Sequence, residues 1–407
     1  MNQLLARLAI LLLSLTTAAA SQAHGPAGTG IIAKADSAET AFSNPAGITR
    51  LEGRQMTLNG VLAVDFSNFE VDEGKTTVDG GNPRDPQGAL IPSFYYTRQY
   101  DDNWYFGASL NVPTGFGASD GPNWAGRYYS DRSSLVYIAL TPAVAYKFSD
   151  SFSVGAGVRV MYTDSEVHTR VNNNLIGDRF EDGRVSVEAD GVGYGASLSM
   201  LYSFSADTRV GLTWSSQVNI DVDSEVNFRN VRLPPEVIED LQAQTIDIAD
   251  NVPMTAGFGA YHRLQNDWEL TWDLMWVEFS KFGVTNISLE RGDIKVPTGI
   301  YDDFFASSIG TSWPINSKMR GAVGLLWVER PMDDSARTFG IALDEMWGIG
   351  AGVTYTLASG DDIAVSVDVL DTGSSPIDTG AAPIRGRVAG EFEDHYSLLL
   401  DFTYNWR

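Results

Sequence analysis

The stretch FSVGAGVRVMY, residues 152–162, decides the fold class. Phe152, Val154, Ala156, Val158, Val160 and Tyr162 fall on one side of a two-residue repeat. Ser153, Gly155, Gly157, Arg159 and Met161 fall on the other. Successive side chains of a strand point to opposite faces, so this segment is a strand with one apolar face and one face of mostly small or polar groups. The repeat returns at Trp347, Ile349, Ala351, Val353, Tyr355 and Leu357, and again at Tyr396, Leu398, Leu400, Phe402, Tyr404 and Trp406. Carried along most of the chain, with aromatics on the apolar side, it predicts a transmembrane β-barrel.

Composition narrows the class further. Residues 1–23 read as a secretory signal, with Arg7 before the apolar run Leu8–Leu15 and the small residues Ser21 and Ala23 before a cut at His24. That run is too short for a membrane helix, which needs about 20 apolar residues. No later segment is apolar for that long, so a membrane-spanning reading requires a closed sheet. The formal charge of −24 argues against nucleic acid, which needs a basic face. The acids are expected in outer loops and at the rim, screened by divalent cations or serving solubility alone. With no cysteine, disulfides and thiol chemistry are excluded.

Two classes of connection alternate along the chain. Short Asp/Asn/Ser/Gly turns fall near Tyr100–Asn103, Ser149–Ser151, Ser205–Asp207, Gln265–Asp267, Ile315–Ser317 and Ser359–Asp361. Longer polar loops are expected at 70–91, 113–133, 169–184, 229–252, 290–301, 329–345 and 371–394. Seven loops and six turns join fourteen strands, an even number with both termini on the short-turn side. The domain reading is a signal at 1–23, an N-terminal piece at 24–54 and an antiparallel barrel at 55–407. Outward faces include Val136, Ile138, Leu140, Val144, Tyr146 and Phe148, and Trp268, Leu270, Trp272, Leu274 and Trp276. Inward faces read as Gly, Ser and Thr, as at Gly193, Gly195, Ser197 and Ser199, leaving room in the lumen.

Residues 24–54 do not alternate. The Ala-rich run Ile31–Phe42 is expected to hold a short helix, and Ser43-Asn44-Pro45-Ala46-Gly47-Ile48 to stop it and turn. This Asn-Pro-Ala-Gly element close behind the signal, with Asp36 before it, resembles the outer-membrane long-chain fatty-acid and toluene transporter family. Further matches follow in order: Pro113-Thr114-Gly115-Phe116-Gly117, Asn123-Trp124-Ala125-Gly126-Arg127-Tyr128, Thr141-Pro142-Ala143-Val144-Ala145-Tyr146, Trp272-Asp273-Leu274-Met275-Trp276 and Phe279-Ser280-Lys281-Phe282.

The resemblance implies a fourteen-stranded barrel in the bacterial outer membrane, closed by an N-terminal hatch. It implies passive uptake of hydrophobic small molecules, most of all long-chain fatty acids, by outer-loop capture and lateral exit where the third strand kinks. The hatch element would be Phe42, Asn44, Pro45, Ala46 and Gly47, and the kink Asn111, Pro113, Gly115 and Gly117. Pro113 supports a kink independently, because it lacks an N–H for the ladder; a strand end at the rim is the other reading. The loop at 169–184 is shorter than is usual in relatives, and the chain ends Trp406-Arg407, so Trp406 would be the aromatic signal for the barrel-assembly machinery.

Candidate ligand contacts fall into three groups. Phe116, Trp124 and Tyr128 either line an apolar passage or serve as girdle aromatics. Val237, Ile238 and Leu241, after Pro234-Pro235, form one side of a short amphipathic helix, either half of a capture groove or a helix packed on its own rim. Lys34, Arg50 and Arg127 either meet a fatty-acid carboxylate or make structural ion pairs with neighbours such as Asp36 and Glu52. An enzyme is not expected. The four histidines, His24, His168, His262 and His395, lie outside any Gly-x-Ser-x-Gly or His-Glu-x-x-His setting. No cofactor, metal or nucleic acid is expected; the partners are the ligand, outer-membrane lipid and the assembly machinery, with a monomer as the working state. The competing functions are a porin for small polar solutes, a hydrocarbon channel and an adhesive barrel. An apolar cavity beside residues 24–54 would favour hydrophobic uptake, and an open lumen with charge rings the porin.

Overall fold

The computed structural model describes residues 29–83, 87–175, 180–232, 246–289, 294–295, 300–339, 342–382 and 385–407. Its strands form one antiparallel sheet that closes on itself. In chain order these are β1 (Arg54–Val71), β2 (Gln87–Gln99), β3 (Trp104–Ala118), β4 (Arg132–Ser149), β5 (Phe152–Val171) and β6 (Gly183–Ser203). Then come β7 (Thr208–Ser215 continuing as Val218–Arg229), β8 (Ile246–Val252 and Thr255–Arg263) and β9 (Glu269–Val277 and Gly283–Leu289). The last five are β10 (Ile294–Lys295 and Phe304–Asn316), β11 (Met319–Val328), β12 (Met346–Thr356), β13 (Asp362–Asp371 and Ser375–Asp378) and β14 (Ala389–Trp406). The fourteen-strand count therefore holds. β1 pairs with β14 from Met56–Trp406 to Val71–Gly390, which leaves no terminal edge.

Several loops are shorter than the sequence pattern suggests. β3 runs through Ala118, so Pro113, Gly115, Phe116 and Gly117 are strand residues and not part of a loop beginning at 113. Ile246–Val252 is likewise strand, paired with both β7 and β9. Part of the expected 371–394 loop is also strand, at Ser375–Asp378 and from Ala389 onward. In each case a neighbouring strand extends far enough to take the polar segment's backbone hydrogen bonds.

The outward apolar run of β5 ends at Tyr162 and gives way to Asp164. From Phe152 to Tyr162 is roughly 33 Å of strand, or about 25 Å across the membrane at an ordinary barrel tilt. Aromatics mark the short-turn rim, in the pairs Trp104–Tyr146, Phe148–Phe152, Tyr202–Phe204, Trp268–Trp313 and Tyr404–Trp406. β5, β6 and the outer half of β7 continue past the membrane band as a wall above it.

Two of these strands change face on the way. In the lower half of β7, Leu212 and Trp214 are exposed, whereas above the break at Ser216–Gln217 the even-numbered Val218, Ile220 and Val222 are buried. β8 does the same across Pro253–Met254, with Tyr261 buried below and Asp250 above. An inserted residue rotates everything beyond it to the opposite side of the sheet.

Candidate functional site

The described N-terminal segment, residues 29–53, packs inside the barrel. Its helical content is displaced from the expected place: Ile31–Ala33 is a turn, Ala35 has a left-handed φ of 48°, and the α-helix is confined to Thr40–Ser43. The element expected to stop a helix begins a second one, a 3-10 helix over Pro45–Arg50. Proline is suited to a first helical position, where its missing N–H costs nothing.

Each residue of the Asn-Pro-Ala-Gly element has a physical task. Asn44 is fully buried and its Nδ2 donates to Ile32 O at 2.7 Å, tying the helix back to the preceding turn. Ala46 N donates to Ser199 Oγ at 2.8 Å, and Ser153 Oγ donates to Ala46 O at 2.9 Å, so both backbone groups are held by the wall. Gly47 sits where a Cβ would lie 2.4 Å from Thr40 Cγ2 and 2.8 Å from Ala35 Cβ. Phe42 packs with Ala38 and Tyr95.

The turn before it is gripped at both ends. Asp273, on the inward face of β9, accepts from Gly30 N at 2.6 Å and Ile32 N at 3.4 Å. Arg209, on β7, donates to the carbonyls of Ala33 (2.7 Å) and Lys34, and stacks on Tyr261 with its Cζ 3.7 Å from the ring centroid. Negative charge meets N–H groups and positive charge meets carbonyls.

Inward glycines form the seat for this segment. A Cβ on Gly155 would lie 2.3 Å from Ala46 N; one on Gly107, 2.9 Å from Ala41 Cβ; one on Gly211, 2.8 Å from Ile32 O; one on Gly259, 2.6 Å from Ile32 Cβ. Small inward residues below mid-membrane thus make room for the segment. Above it the inward faces are largely apolar, against the sequence expectation. Leu135, Tyr137, Met161, Val185, Val187, Ile220, Val222, Phe279, Phe304, Met332 and Met346 belong to one buried cluster filling the long-loop half of the lumen. Within it, Tyr137 OH donates to Asp250 Oδ2, joining β4 to β8 across the lumen, while Asp250 Oδ1 has no hydrogen-bond partner among the described residues.

Arg159 stands at the border between these halves. Along the inward face of β5, Ser153 and Gly155 contact the N-terminal segment, Arg159 comes next but one, and Met161 already belongs to the apolar cluster. The Arg159 guanidinium lies over Phe42, 4.8 Å from the ring centroid. Among the described residues its buried Nε has no hydrogen-bond partner and no carboxylate pairs with it. Its place in the alternating pattern is the one sequence signal that could have singled it out.

The cations named from sequence are engaged elsewhere. Lys34 pairs with Asp36 at 3.0 Å and Glu269 at 3.5 Å. Asp36 outweighs the cost of burial and raises the Lys34 ammonium; burial would raise the Asp36 carboxyl, but Lys34 holds it below its ordinary range. Arg127 pairs with Asp79 at 2.7 Å and Asp182 at 3.0 Å in the second long loop. Burial there pushes the Tyr128 phenol up to about 12, and its hydroxyl donates to Asp182 at 3.0 Å. Trp124 is packed among Phe69, Phe339 and Ala342, with Nε1 on Ser130 O at 2.7 Å. These residues hold the loop together. Arg50 is exposed at the short-turn rim. Phe116 occupies a strand position opposite Leu135, and Val237, Ile238 and Leu241 lie outside the described residues.

The side wall has a discontinuity. β2–β3 rungs run from Gln99–Tyr105 to Phe94–Leu110 and stop, although both strands continue. There β3 carries a bulge between Asn111 and Thr114, with Val112 and Pro113 inserted against β4. A cavity of about 560 Å³ reaches this slot at Ser93, Tyr95, Asn111 and Val112.

Comparison with known proteins agrees with this architecture. The family described as outer membrane protein transport protein (OMPP1/FadL/TodX) matches residues 13–404. The chain is 23% identical over 378 residues to the long-chain fatty acid transport protein of Escherichia coli, covering 85% of this chain and 83% of that one. A Pseudomonas aeruginosa FadL homologue superposes with a TM-score of 0.81 at 18% identity, covering 96% of this chain and 98% of the other. The P. putida toluene transporter TodX does so with 0.65 at 16% identity, covering 93% and 98%.

Proposed function

The chain is a member of the outer membrane transport protein family of FadL and TodX, a hydrophobic-compound transporter of the outer membrane and not an enzyme, and on that footing we propose that its ligand is a long-chain fatty acid. The observation that carries the fatty-acid reading is Arg159, a lumen guanidinium without a carboxylate partner among the described residues, set where an apolar compartment meets Phe42. A guanidinium whose buried Nε lacks a partner is costly, and a ligand carboxylate relieves that cost through charge-assisted hydrogen bonds. A neutral hydrocarbon does not. The hydrocarbon chain then occupies the long-loop half of the lumen, whose Val, Ile, Phe and Met side chains repack around it.

The route follows from the same geometry. Ligand enters among the long loops, descends through the apolar cluster and halts with its head at Arg159, because residues 29–53 act as a hatch below. Exit is sideways through the β2–β3 slot, where Pro113 and the bulge at Asn111–Thr114 interrupt the wall. An apolar chain entering lipid directly avoids a water crossing.

The test is uptake of radiolabelled oleate and toluene by cells lacking their own transporter, with the native chain and with Arg159→Met. Oleate uptake is expected from the native chain and a fall of at least tenfold from the variant, with any toluene uptake unchanged. Toluene uptake without oleate uptake would move the reading to hydrocarbons, and uptake of neither would refute it.

A further inference from the structure

A polar notch is cut into the apolar long-loop half of the lumen. Tyr137 on β4 is fully buried and Asp250 on β8 nearly so, and the Tyr137 hydroxyl donates to only one oxygen of the carboxylate. The other, Oδ1, is buried with no hydrogen-bond partner among the described residues. Thr163, opposite Tyr137 in the β4–β5 ladder, brings a second buried hydroxyl to the same level. Ile220, which stands opposite Asp250 on β7, belongs to the apolar cluster and has no side-chain donor to offer.

A tie between two strands does not need this arrangement. A buried polar or ionic pair is often no more stable than apolar side chains of the same volume, and an oxygen left without a donor adds a cost of its own. What an open acceptor in an apolar compartment does provide is recognition: a ligand that supplies the missing donor is favoured over one that leaves the acceptor empty.

The donor has to sit on a ligand whose remainder suits the compartment. With the ligand head at Arg159, the notch lies further toward the long loops: Thr163 is four residues along β5 from Arg159, or roughly 13 Å of strand. That is the level reached by the middle of a long acyl chain. A hydroxyl there donates to Asp250 Oδ1 without bringing a further charge into apolar surroundings.

We propose that the lumen selects long-chain fatty acids that carry a mid-chain hydroxyl, with Asp250 as the acceptor and Tyr137 as the group that holds it. The proposal rests on the fatty-acid reading and adds to it a feature of the chain, separate from the head.

The full chain, purified in detergent, tests this by competition of ricinoleate with radiolabelled oleate, two acids that differ by one mid-chain hydroxyl. Ricinoleate should bind about tenfold more tightly or better. An oleate hydroxylated on the carbon beside its carboxyl should show no such gain, because its hydroxyl stays with the head; this comparison needs no substitution. In the double variant Tyr137→Phe with Asp250→Leu, ricinoleate and oleate should bind equally, whereas Arg159→Met should weaken both and keep the preference between them. Equal binding of the two acids by the native chain, a preference that survives in the double variant, or oleylamine outcompeting ricinoleate overturns the proposal. Equal binding leaves the fatty-acid reading standing; binding of neither acid refutes that reading and this one with it.

Discussion

Gly155→Ala tests how the N-terminal segment is seated. The added Cβ would lie 2.3 Å from Ala46 N and 2.5 Å from Pro45 C, both backbone atoms. Relief to ordinary contact distance requires the segment to move by about 1 Å. The bonds Ala46 N–Ser199 Oγ at 2.8 Å and Ser153 Oγ–Ala46 O at 2.9 Å would then approach 4 Å, outside the range of roughly 2.7–3.2 Å for such bonds. At about 1 kcal/mol each, the loss is about 2 kcal/mol, or roughly thirtyfold in the docking equilibrium. Amide hydrogen exchange in detergent reads this directly: exchange at Ala46 and Gly47 should rise about thirtyfold while the barrel strands stay protected. Gly60→Ala is the control, since a Cβ there meets nothing within 4 Å. Unchanged exchange at Ala46 in Gly155→Ala, with the barrel intact, would refute the seating argument.

Other outcomes follow from the same structure. Asp273→Ala removes the acceptor for Gly30 and Ile32 N–H, so exchange at residues 30–34 should rise while the barrel persists; protection equal to native would show that the wall contacts alone hold the turn. Tyr137→Phe strands the Asp250 carboxylate among apolar groups, costing about 1–3 kcal/mol in urea unfolding, and Tyr137→Phe with Asp250→Leu should recover most of it. The Asp36 carboxyl is held below its ordinary range by Lys34, so its contribution is complete above the unfolded value of about 4 and is lost as pH falls through the folded value. The Lys34 ammonium is raised, so its contribution is complete below about 10.4 and is lost only at higher pH. Docking measured by exchange should therefore be flat through neutrality and fall below about pH 4. Deleting Arg407 removes a partly exposed ion pair with Asp362 and should cost no more than about 1 kcal/mol; a larger loss would mark the terminal residue as part of barrel closure.

The architecture was legible because a membrane barrel imposes its period on every strand. Lipid on one side and lumen on the other force alternation, and strand reversal forces Asp, Asn, Ser and Gly at tight turns. Phe152–Tyr162, the six short turns and the strand count therefore needed no tertiary information, and the Asn-Pro-Ala-Gly element stood out because it does not alternate. The site was less legible. Glycine inside a barrel reads equally as spare room or as a seat; only the arrival of Ala46 against Gly155 and Ile32 against Gly259 decides between them. Lys34 and Arg127 read from sequence either as ligand contacts or as structural ion pairs; Asp36 could be named as a partner of Lys34, but Glu269, Asp79 and Asp182, distant in sequence, could not.

By itself, then, the sequence determined the strand period, the fourteen crossings, the family and the N-terminal element. The tertiary structure decided which side of the wall each residue serves and which charge is left over. The breaks at Ser216–Gln217 and Pro253–Met254 reverse the faces of β7 and β8, turning Val218, Ile220 and Val222 into lumen. The physical reason is that one inserted residue shifts a two-residue repeat by half its period, an effect invisible until the partner strand's register is known. Arg159 is without a carboxylate partner among the described residues for a reason of the same kind, since charge balance is a property of neighbours in space and not of neighbours in sequence.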